Sequence, residues 1–387
     1  MKKQIAILGS TGSIGKSLLK IIKQDKKNFE IILLTARRNY KEILNQAKIF
    51  KVKNIIITDK KYFEIAKNKN KKSNINIYND FKTLSKIFKK KIDYTMCSII
   101  GIDGLAPIIQ IIKHTKKIAI ANKEPIICAW NLIKKELIKY KTEFIPVDSE
   151  HFSIWYALKN NSLANINKIY LTASGGPLLN ISYDKFNNLK MSQILNHPNW
   201  KMGKKITVDS STMMNKVFEI IEAKKIFNVN YNKLSILIHP KSYLHAIIKF
   251  NDGMIKIIAH DTTMQIPIFN TIYNSKKRII KSRKLDIKKL NNLKLNKVNY
   301  KKFPLLKIIK KLPKNNSLFE TVIVSANDEL VDLFLKKKIK YTDISRRLFK
   351  IINQNEFKKL KSILPLKISE IMKLNKYVRF KINSMSV

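Results

Sequence analysis

Short apolar runs alternate with amphipathic stretches along the first 150 residues. The first run leads through a glycine turn into a stretch with Ile14, Leu18, Ile21 and Ile22 at helical spacing, and helix-like stretches stand between most of the later runs. Strands that alternate with helices in this way predict a doubly wound parallel sheet of the Rossmann type. The six predicted strands lie in "QIAILG", "EIILLTA", "KNIIIT", "IDYTMCSI", "KIAIAN" and "TEFIPVD".

The last part of the chain has a different pattern. Apolar residues recur at helical spacing in "SLFETVIVSANDELVDLFLKKKI" and again after Asp343, which predicts a small α-helical domain. The stretch before it, 275 to 302, is dense in lysine with alternating leucines and is typical of a linker. A length of 387 residues is also enough for two or three domains.

The composition is that of a globular protein with real cores, at 45% hydrophobic and 9% aromatic residues. Cys97 and Cys128 form neither a disulfide framework nor a CxxC metal pair, which suits a reducing cytoplasm. The apolar run from Ile5 to Leu8 is too short for a signal peptide, and no stretch of about 18 apolar residues follows. We expect a cytoplasmic protein without a membrane segment.

The formal charge of +50 raises the question of a nucleic-acid partner. The lysines are spread over the whole chain, arginine is scarce, and Lys, Ile and Asn are abundant together, as AT-rich codons produce. The tryptophans Trp130, Trp155 and Trp200 form no stacking array with lysines. We therefore expect no nucleic-acid partner, although a basic surface would favour a phosphorylated substrate.

The first turn spaces its glycines as GxxGxxG, at Gly9, Gly12 and Gly15, close to the dinucleotide-binding fingerprint. Such glycines let the backbone approach a pyrophosphate at a helix N-terminus. After the second strand the chain reads Arg37, Arg38 and has no carboxylate there to hold a ribose 2′-hydroxyl. Guanidinium groups suit a 2′-phosphate and so indicate NADP(H), unless these are two ordinary exposed basic residues.

Further groups point to a metal and to an anion. Asp148 and Glu150 are two residues apart, so in an extended segment both carboxylates project to one side, where Mg²⁺ or Mn²⁺ would accept their oxygens. Acidic doublets at strand ends are also common on solvated surfaces. Ser174 precedes two glycines in a turn that could cradle an anion, and the segment around Trp200 has the composition of a mobile loop.

Five motifs follow one another along the chain. They are "GSTGSIG" at the N-terminus, "ANKE" at 121–124, "PVDSEH" at 146–151, "SGGP" at 174–177, and "HPNW", "MG" and "KITVDSSTMMNK" between 197 and 216, followed by Glu219. In these motifs the chain resembles the 1-deoxy-D-xylulose 5-phosphate reductoisomerase family. The resemblance runs from the first strand to the last helices and covers nearly the whole chain.

The resemblance implies an NADPH- and metal-dependent enzyme. It would rearrange 1-deoxy-D-xylulose 5-phosphate to a branched aldehyde and reduce that aldehyde to 2-C-methyl-D-erythritol 4-phosphate, with Mg²⁺ or Mn²⁺ as the metal and Co²⁺ as a third candidate. On a helix, Asn215 and Lys216 would share a face with Glu219. The resemblance assigns metal binding to Asp148, Glu150 and Glu219; catalysis to Lys123, Glu150, Glu219 and His197; substrate binding to Ser149, Ser174, His197, Trp200, Ser210, Asn215 and Lys216; and cofactor binding to Thr11, Gly12, Ser13, Ile14, Arg37, Arg38, Asn39, Asn122, Glu124 and Gly203.

The resemblance also implies an organisation of the chain. We expect an NADPH-binding Rossmann-like domain at 1–148 and a central α+β catalytic domain at 149–274, with a lid loop at 197–205 that closes over the site. A linker at 275–300 and a C-terminal helical domain at 301–387 follow, in a homodimer.

Two alternatives remain at this point. Another NADP-dependent dehydrogenase, acting on a metal-chelated hydroxy acid, would explain the glycine turn and the carboxylates but not the serines expected to hold a phosphate. A basic nucleic-acid-binding protein would explain only the charge. Three residues depart from the family pattern, namely Arg37, Pro125 and Lys201.

Overall fold

A computed structural model describes residues 1–71, 73–159, 163–273, 278–280 and 282–385. The chain forms two compact units. The first unit comprises Met1–Pro125, Leu132–Asp148 and Met264–Lys281, and the second comprises Ile126–Asn131, Ser149–Thr263 and Ser282–Val387.

The strands and helices follow in the order that the hydrophobic pattern predicts for the first half of the chain. The strands are β1 Lys3–Leu8, β2 Phe29–Ala36, β3 Asn54–Ile57, β4 Asn76–Tyr78, β5 Tyr94–Cys97, β6 Lys117–Ile120, β7 Glu143–Pro146, β8 Ile166–Ala173, β9 Leu234–Ile238, β10 Leu244–Phe250 and β11 Ile255–Ala259. The α-helices are α1 Ser13–Gln24, α2 Tyr40–Phe50, α3 Lys60–Lys69, α4 Leu84–Ile87, α5 Leu105–Ile112, α6 Lys123–Lys139, α7 Ser149–Ala157, α8 Met191–Leu195, α9 Lys204–Ser211, α10 Met214–Phe227, α11 Gln265–Ile272, α12 Ile287–Asn291, α13 Leu318–Leu335, α14 Tyr341–Ile352, α15 Asn355–Lys358 and α16 Ile368–Ser384.

The first unit is built on a seven-stranded parallel sheet in the order β4-β3-β2-β1-β5-β6-β7. All six strands predicted from the apolar runs are present, and the α/β fold class is confirmed. The seventh strand, β4, was missed because it has only three residues, none of them buried, at the edge of the sheet. The strand order reverses at β1: strands β2 to β4 are added on one side of it and β5 to β7 on the other. Open α/β sheets bind ligands at such a switch point, at the carboxyl ends of their strands.

Residues after the second sheet return to the first unit. Helix α11 packs against α1, and its Ile268 and Ile272 belong to the apolar core beneath the parallel sheet. Thr271 bonds the hydroxyl of Tyr94 at 2.7 Å. The domain boundaries remain a prediction, but this helix lies within the predicted central domain 149–274 and packs in the first unit.

The second unit contains a four-stranded sheet in the order β11-β10-β8-β9. Strand β10 runs antiparallel to both β8 and β11, whereas β8 and β9 are parallel. Helices α7 and α10 contribute Ile154 and Ile220 to the core on this sheet. The C-terminal helices α13, α14 and α16 pack on one another, as the helical pattern predicts, and Ser317 with Glu320 forms a capping box at the start of α13.

Parts of the predicted linker and of the predicted C-terminal domain lie outside the described residues. The predicted linker 275–300 lies partly outside the described residues, since 275–277 and 281 are not among them, and the same holds for 386–387 of the predicted C-terminal domain. Within the described chain, no helix is both long enough and apolar enough to cross a membrane.

Candidate active site

The glycine turn after β1 is a tight backbone structure. Gly9 has a φ of +87°, and a Cβ atom there would lie 2.8 Å from the carbonyl oxygen of Ser98. A Cβ on Gly15 would lie 2.6 Å from the carbonyl oxygen of Gly9, whereas one on Gly12 would meet only that oxygen, at 3.5 Å. Gly9 and Gly15 are thus required by packing, and Gly12 leaves open backbone at the start of α1, as a pyrophosphate requires.

The other predicted residues of this turn leave room for a ligand. Thr11, Gly12 and Ile14 are half-buried and Ser13 is exposed. Gly12 is the N-cap of α1 and has no side chain to occupy the space in front of the helix. A dinucleotide therefore fits this turn on steric grounds.

Arg37 and Arg38 follow β2, and each lies beside a carboxylate that the sequence analysis did not anticipate. Arg37 Nη1 is 3.3 Å from Asp103 Oδ2, and Arg38 Nε is 2.9 Å from Asp59 Oδ2. Both arginine side chains are about two-thirds exposed, at 66% and 64%. The hydrogen bond from Arg38 lowers the pKa of Asp59. Each arginine uses one nitrogen in this contact, so its exposed guanidinium keeps further donors for a 2′-phosphate. The two carboxylates follow β3 and β5 and so are distant in sequence.

Asn39 caps α2 and accepts a hydrogen bond from the backbone amide of Glu42 at 3.3 Å. Its predicted contact with the cofactor therefore has to be compatible with this capping role. The last residues of β2 adjoin the glycine turn, because the amides of Gly9 and Ser10 bond Thr35 Oγ1 and the Thr35 carbonyl, each at 2.9 Å.

Asn122, Lys123 and Glu124 follow β6 and are all buried. Asn122 Nδ2 donates to the carbonyl of Gly101 at 3.3 Å, and its Oδ1 has no hydrogen-bond partner among the described residues. A buried acceptor of this kind calls for a donor, and the amide group of a nicotinamide offers one. Lys123 Nζ donates to Asp148 Oδ2.

Three carboxylates converge around one point. Asp148 follows β7, and Glu150 lies two residues later in the first turn of α7. Glu219 comes from α10. One oxygen each of Asp148, Glu150 and Glu219 lie within 4.8 Å of one another. Three carboxylates this close repel unless a cation lies among them, and an all-oxygen set suits a hard divalent ion such as Mg²⁺ or Mn²⁺.

Lys216 enters this cluster, although the sequence analysis assigned it to the substrate. Its ammonium contacts Glu219, lies 3.2 Å from Glu150 Oε1 and donates to the carbonyl of Thr172 at 2.6 Å. Its side chain is only 5% exposed. The ammonium therefore offsets part of the negative charge of the cluster, and its role in holding substrate remains a prediction.

Asn215 and Ser149 also bond the carboxylates. Asn215 Nδ2 donates to Glu219 Oε1 at 2.6 Å, as residues four apart on a helix can. Ser149 Oγ donates to Glu150 Oε2 at 2.7 Å. Both side chains, predicted to bind substrate, thus orient the predicted metal ligands in this structure.

A buried pair supports Glu219 from behind, and the sequence analysis did not identify it as such. His151 is fully buried, with Nε2 2.9 Å from the carbonyl oxygen of Glu219 and Nδ1 3.3 Å from Glu222 Oε2. Glu222 follows Glu219 by three residues, so the spacing of acidic residues on one face of α10 could have indicated it.

The predicted phosphate-binding groups come together at the end of β8. Ser174 Oγ is 3.1 Å from His197 Nε2 and accepts from the amide of Gly176 at 3.0 Å. Gly176 has a φ of +67°, and a Cβ there would lie 2.6 Å from the carbonyl oxygen of Ser210. The turn after β8 is therefore pressed against the backbone of Ser210, which brings Ser174, His197 and Ser210 into one area.

The hydrogen bonds of His197 define its tautomer. Nδ1 accepts from the amides of Asn199 at 3.2 Å and Trp200 at 3.0 Å, so the ring proton lies on Nε2 and points to Ser174. Burial lowers the pKa of His197 to about 4. The ring is thus neutral at pH 7 and acts as a hydrogen-bond donor rather than a cation.

The loop around Trp200 rests on the segment between β9 and β10. Asn199 Nδ2 donates to the carbonyl of Pro240 at 2.5 Å and to Ser242 Oγ at 3.0 Å. The Trp200 ring meets His245 edge-on, with ring centroids 6.2 Å apart. Gly203, at the end of the loop, caps α9, and a Cβ there would have no neighbour within 4 Å.

Comparisons with known proteins find one family in each part of the chain that they match. Models of 1-deoxy-D-xylulose 5-phosphate reductoisomerase and of its C-terminal domains match residues 5–130, 144–227 and 261–380. The chain is 61% identical over 387 residues to the 1-deoxy-D-xylulose 5-phosphate reductoisomerase of Pelagibacter ubique (strain HTCC1062), which covers 100% of both chains. It is 37% identical over 361 residues to that of Clostridium acetobutylicum, covering 92% of this chain and 93% of the relative.

Solved structures show the same fold. The reductoisomerase from Zymomonas mobilis in complex with NADPH is similar with a TM-score of 0.88 at 29% identity, over 100% of this chain and 99% of that one. A DOX-P reductoisomerase in complex with NADPH, fosmidomycin and magnesium is similar with a TM-score of 0.90 at 29% identity, over 99% and 98%.

Proposed function

Because the chain belongs to the 1-deoxy-D-xylulose 5-phosphate reductoisomerase family, we propose that it converts 1-deoxy-D-xylulose 5-phosphate to 2-C-methyl-D-erythritol 4-phosphate, a step of isoprenoid precursor synthesis. The enzyme is an NADPH-dependent reductoisomerase that also requires a divalent metal. The observation that carries this function is the convergence of Asp148, Glu150 and Glu219 within 4.8 Å. Family membership over the whole chain favours this reaction over a dehydrogenase of hydroxy acids.

The cofactor and the metal each have a set of residues that fits them. Thr11 to Ile14, Arg37 to Asn39, Asn122, Glu124 and Gly203 would hold NADPH, and Asp148, Glu150 and Glu219 would hold Mg²⁺, Mn²⁺ or Co²⁺. When bound, NADPH supplies a hydride and the metal ion stabilises developing oxyanion character as a Lewis acid.

The residues around the carboxylates prepare this end of the site. The ammonium of Lys123 bonds Asp148, and that of Lys216 bonds Glu150 and Glu219, so both lower the electrostatic cost of gathering three negative charges. Each ammonium is also a donor to oxygens of the substrate once these approach. Lys123 therefore acts in catalysis, and Lys216 in both metal-site stability and substrate binding.

The phosphate end of the substrate lies with Ser174, His197 and Ser210. Neutral His197 bonds the Ser174 hydroxyl through Nε2 and so orients it for a phosphate. A phosphate held away from the reacting carbons contributes binding free energy that orients them. The loop with Trp200 would exclude water from the bound substrate.

We further propose a homodimer in the cytoplasm. Strand β11 is an edge strand in which Ile255 and Ile257 are more than half exposed, at 54% and 53%, and Met254 just before it is 66% exposed. A two-fold axis pairs such a strand with itself in a second copy of this chain, which covers the apolar side chains. Cys97 and Cys128 are buried free thiols, as in a reducing compartment.

The function is tested by adding 1-deoxy-D-xylulose 5-phosphate to the protein with NADPH and Mg²⁺ or Mn²⁺. The expected result is loss of NADPH absorbance that stops with EDTA, and a branched product identified by NMR. A folded protein that binds NADPH but neither oxidises it nor forms this product would contradict the proposed function.

A further inference from the structure

We propose that Asn327 and Asp328 in the C-terminal helix α13 are positioning residues for the phosphate end of the substrate. They hold helix α9 in place, and α9 carries Ser210. This inference rests on the proposed function, in which Ser210 binds the phosphate, and it gives the C-terminal helices a role in substrate affinity.

Helix α9 lies where a small displacement would reach the substrate. It begins after Gly203, the last residue of the loop with Trp200, and it leads through Met213 into α10. The carbonyl oxygen of Ser210, near the end of α9, would meet a Cβ on Gly176 at 2.6 Å. The backbones of Gly176 and Ser210 therefore lie close together, and the position of α9 determines how Ser210 faces the turn that follows Ser174.

Apolar packing alone holds α9 weakly. Of its eight residues, four are buried, and only Val208 among these four is apolar. The others are Thr207, Asp209 and Ser211. Thr207 Oγ1 donates to the carbonyl of Gly203 at 3.0 Å and Ser211 Oγ donates to that of Val208 at 2.7 Å. The buried carboxylate of Asp209 needs donors from other side chains. The location of this helix therefore depends on polar contacts more than that of its neighbour α10, where Met214, Val217 and Ile220 are all buried.

Two residues of α9, Lys205 and Asp209, bond side chains of α13. Asn327 Nδ2 donates to Asp209 Oδ1 at 2.8 Å, and both side chains are buried, Asn327 completely. Lys205 Nζ lies 3.3 Å from Asp209 Oδ2 and 2.8 Å from Asp328 Oδ1, so it bridges the two helices. Two consecutive residues of α13 thus bind two residues on successive turns of α9.

Arg379 of the C-terminal helix α16 also contacts the α13 residues next to Asn327. Arg379 Nη2 is 3.5 Å from Asp328 Oδ2, and its Nη1 is 2.8 Å from Glu329 Oε2. Asp328 therefore lies between Lys205 of α9 and Arg379 of α16. Buried networks of this kind specify one geometry, because a shift of either helix leaves a charged group without its partner.

The test uses Asn327→Ala, with Ser325→Ala as a matched control. Ser325 is a fully buried polar residue on the same helix, and its Oγ has no hydrogen-bond partner among the described residues. We expect Asn327→Ala to raise the KM for 1-deoxy-D-xylulose 5-phosphate on the order of tenfold, because a buried hydrogen bond to a charged group is lost. The KM for NADPH stays unchanged, and Ser325→Ala changes neither value.

Amide hydrogen exchange gives a readout that does not depend on turnover. Exchange across Lys204–Ser211 should rise in Asn327→Ala and remain as in the wild type in Ser325→Ala.

The outcomes separate the two proposals. A wild-type protein without turnover would count against the proposed function. Unchanged exchange of α9 in Asn327→Ala would overturn the tether. Faster exchange with an unchanged substrate KM, or an equal rise of KM in Ser325→Ala, would overturn the link from α13 to substrate affinity.

Discussion

The glycine turn after β1 and the helix α10 both serve the proposed site, yet they are built on opposite principles. The turn requires residues without a side chain, because a Cβ on Gly9 or Gly15 would lie within 2.9 Å of backbone atoms. Helix α10 instead buries the charged residues Lys216, Glu219 and Glu222. Each of these has an oppositely charged or ring partner, among them Glu150 and His151.

The difference predicts different sensitivities. The turn should tolerate changes of polarity on its exposed side and should not tolerate an added carbon atom at its packed glycines. The helix should tolerate a modest change of shape and should not tolerate the loss of a charge, because removal of one partner leaves another buried charge uncompensated. The first two predictions below test this contrast, and the other two test the charged and polar groups elsewhere in the proposed site.

The largest effect is expected for Glu219→Gln. Replacing a carboxylate ligand by a neutral amide should weaken Mn²⁺ binding on the order of 10²-fold or more, since even outer partners of a metal ligand contribute 10- to 100-fold. Calorimetric titration with Mn²⁺ measures this directly. Glu222→Gln is the comparison on the same helix, because Glu222 bonds His151 outside the carboxylate cluster and its change should weaken Mn²⁺ binding less than that of Glu219. Equal metal affinity in wild type and Glu219→Gln would show that the cluster does not bind the ion.

The second effect concerns Gly15→Ala. The added Cβ would lie 2.6 Å from Gly9 O and from Ser10 Cα, which are backbone atoms and cannot rotate away. Overpacking of this kind costs about 1–3 kcal/mol of the free energy of unfolding, measured by urea denaturation. Gly203→Ala, where a Cβ has no neighbour within 4 Å, should stay within about 0.5 kcal/mol of the wild type. Equal stability of the two variants would refute the packing argument.

A smaller effect is expected for Arg38→Ala. Loss of the guanidinium should raise the KM for NADPH on the order of tenfold, because one charged hydrogen bond to the 2′-phosphate is lost, and it should leave the KM for NADH unchanged. Steady-state kinetics with both cofactors measures the preference. Arg346→Ala removes another exposed arginine paired with an aspartate, on α14, and should change neither KM. An unchanged NADPH preference in Arg38→Ala would assign this contact elsewhere.

The smallest effect is a pH dependence of stability from His197. Burial lowers its pKa to about 4 from the ordinary 6.5, so between these values the unfolded chain binds a proton that the folded chain does not. The contribution of this residue to stability is therefore complete above pH 6.5 and is lost as the pH falls towards 4. The free energy of unfolding of His197→Gln should fall less over this range than that of the wild type. Parallel pH profiles would contradict the neutral, hydrogen-bonded ring.

The two regions also differ in how far the sequence predicts them. The glycine turn and its flanking strand and helix follow from local spacing, and the whole parallel sheet except β4 follows from short apolar runs. The partners of the charged residues do not. Asp209 finds Asn327 118 positions further along the chain, and Arg38 finds Asp59 after the next strand. Such pairs form only when the tertiary fold brings distant segments together, so no local pattern indicates them.

Lys216 illustrates the same limit within the site. The family resemblance assigns Lys216 to the substrate, and the sequence places it three residues before Glu219, so the contact between these two could be predicted. Its contact with Glu150 could not, because that contact depends on how α7 and α10 pack in the second unit. The roles of the individual site residues therefore remain predictions that the variants above can test.

The most direct test of the central claim compares NADPH oxidation by wild-type protein and by Glu219→Gln, with 1-deoxy-D-xylulose 5-phosphate and saturating Mg²⁺. We predict metal-dependent oxidation by the wild type and a kcat/KM lower on the order of 10³-fold in the variant, because the variant lacks one of the three carboxylates that hold the Lewis acid. Oxidation that persists in EDTA, or equal kcat/KM in the two proteins, would contradict the account.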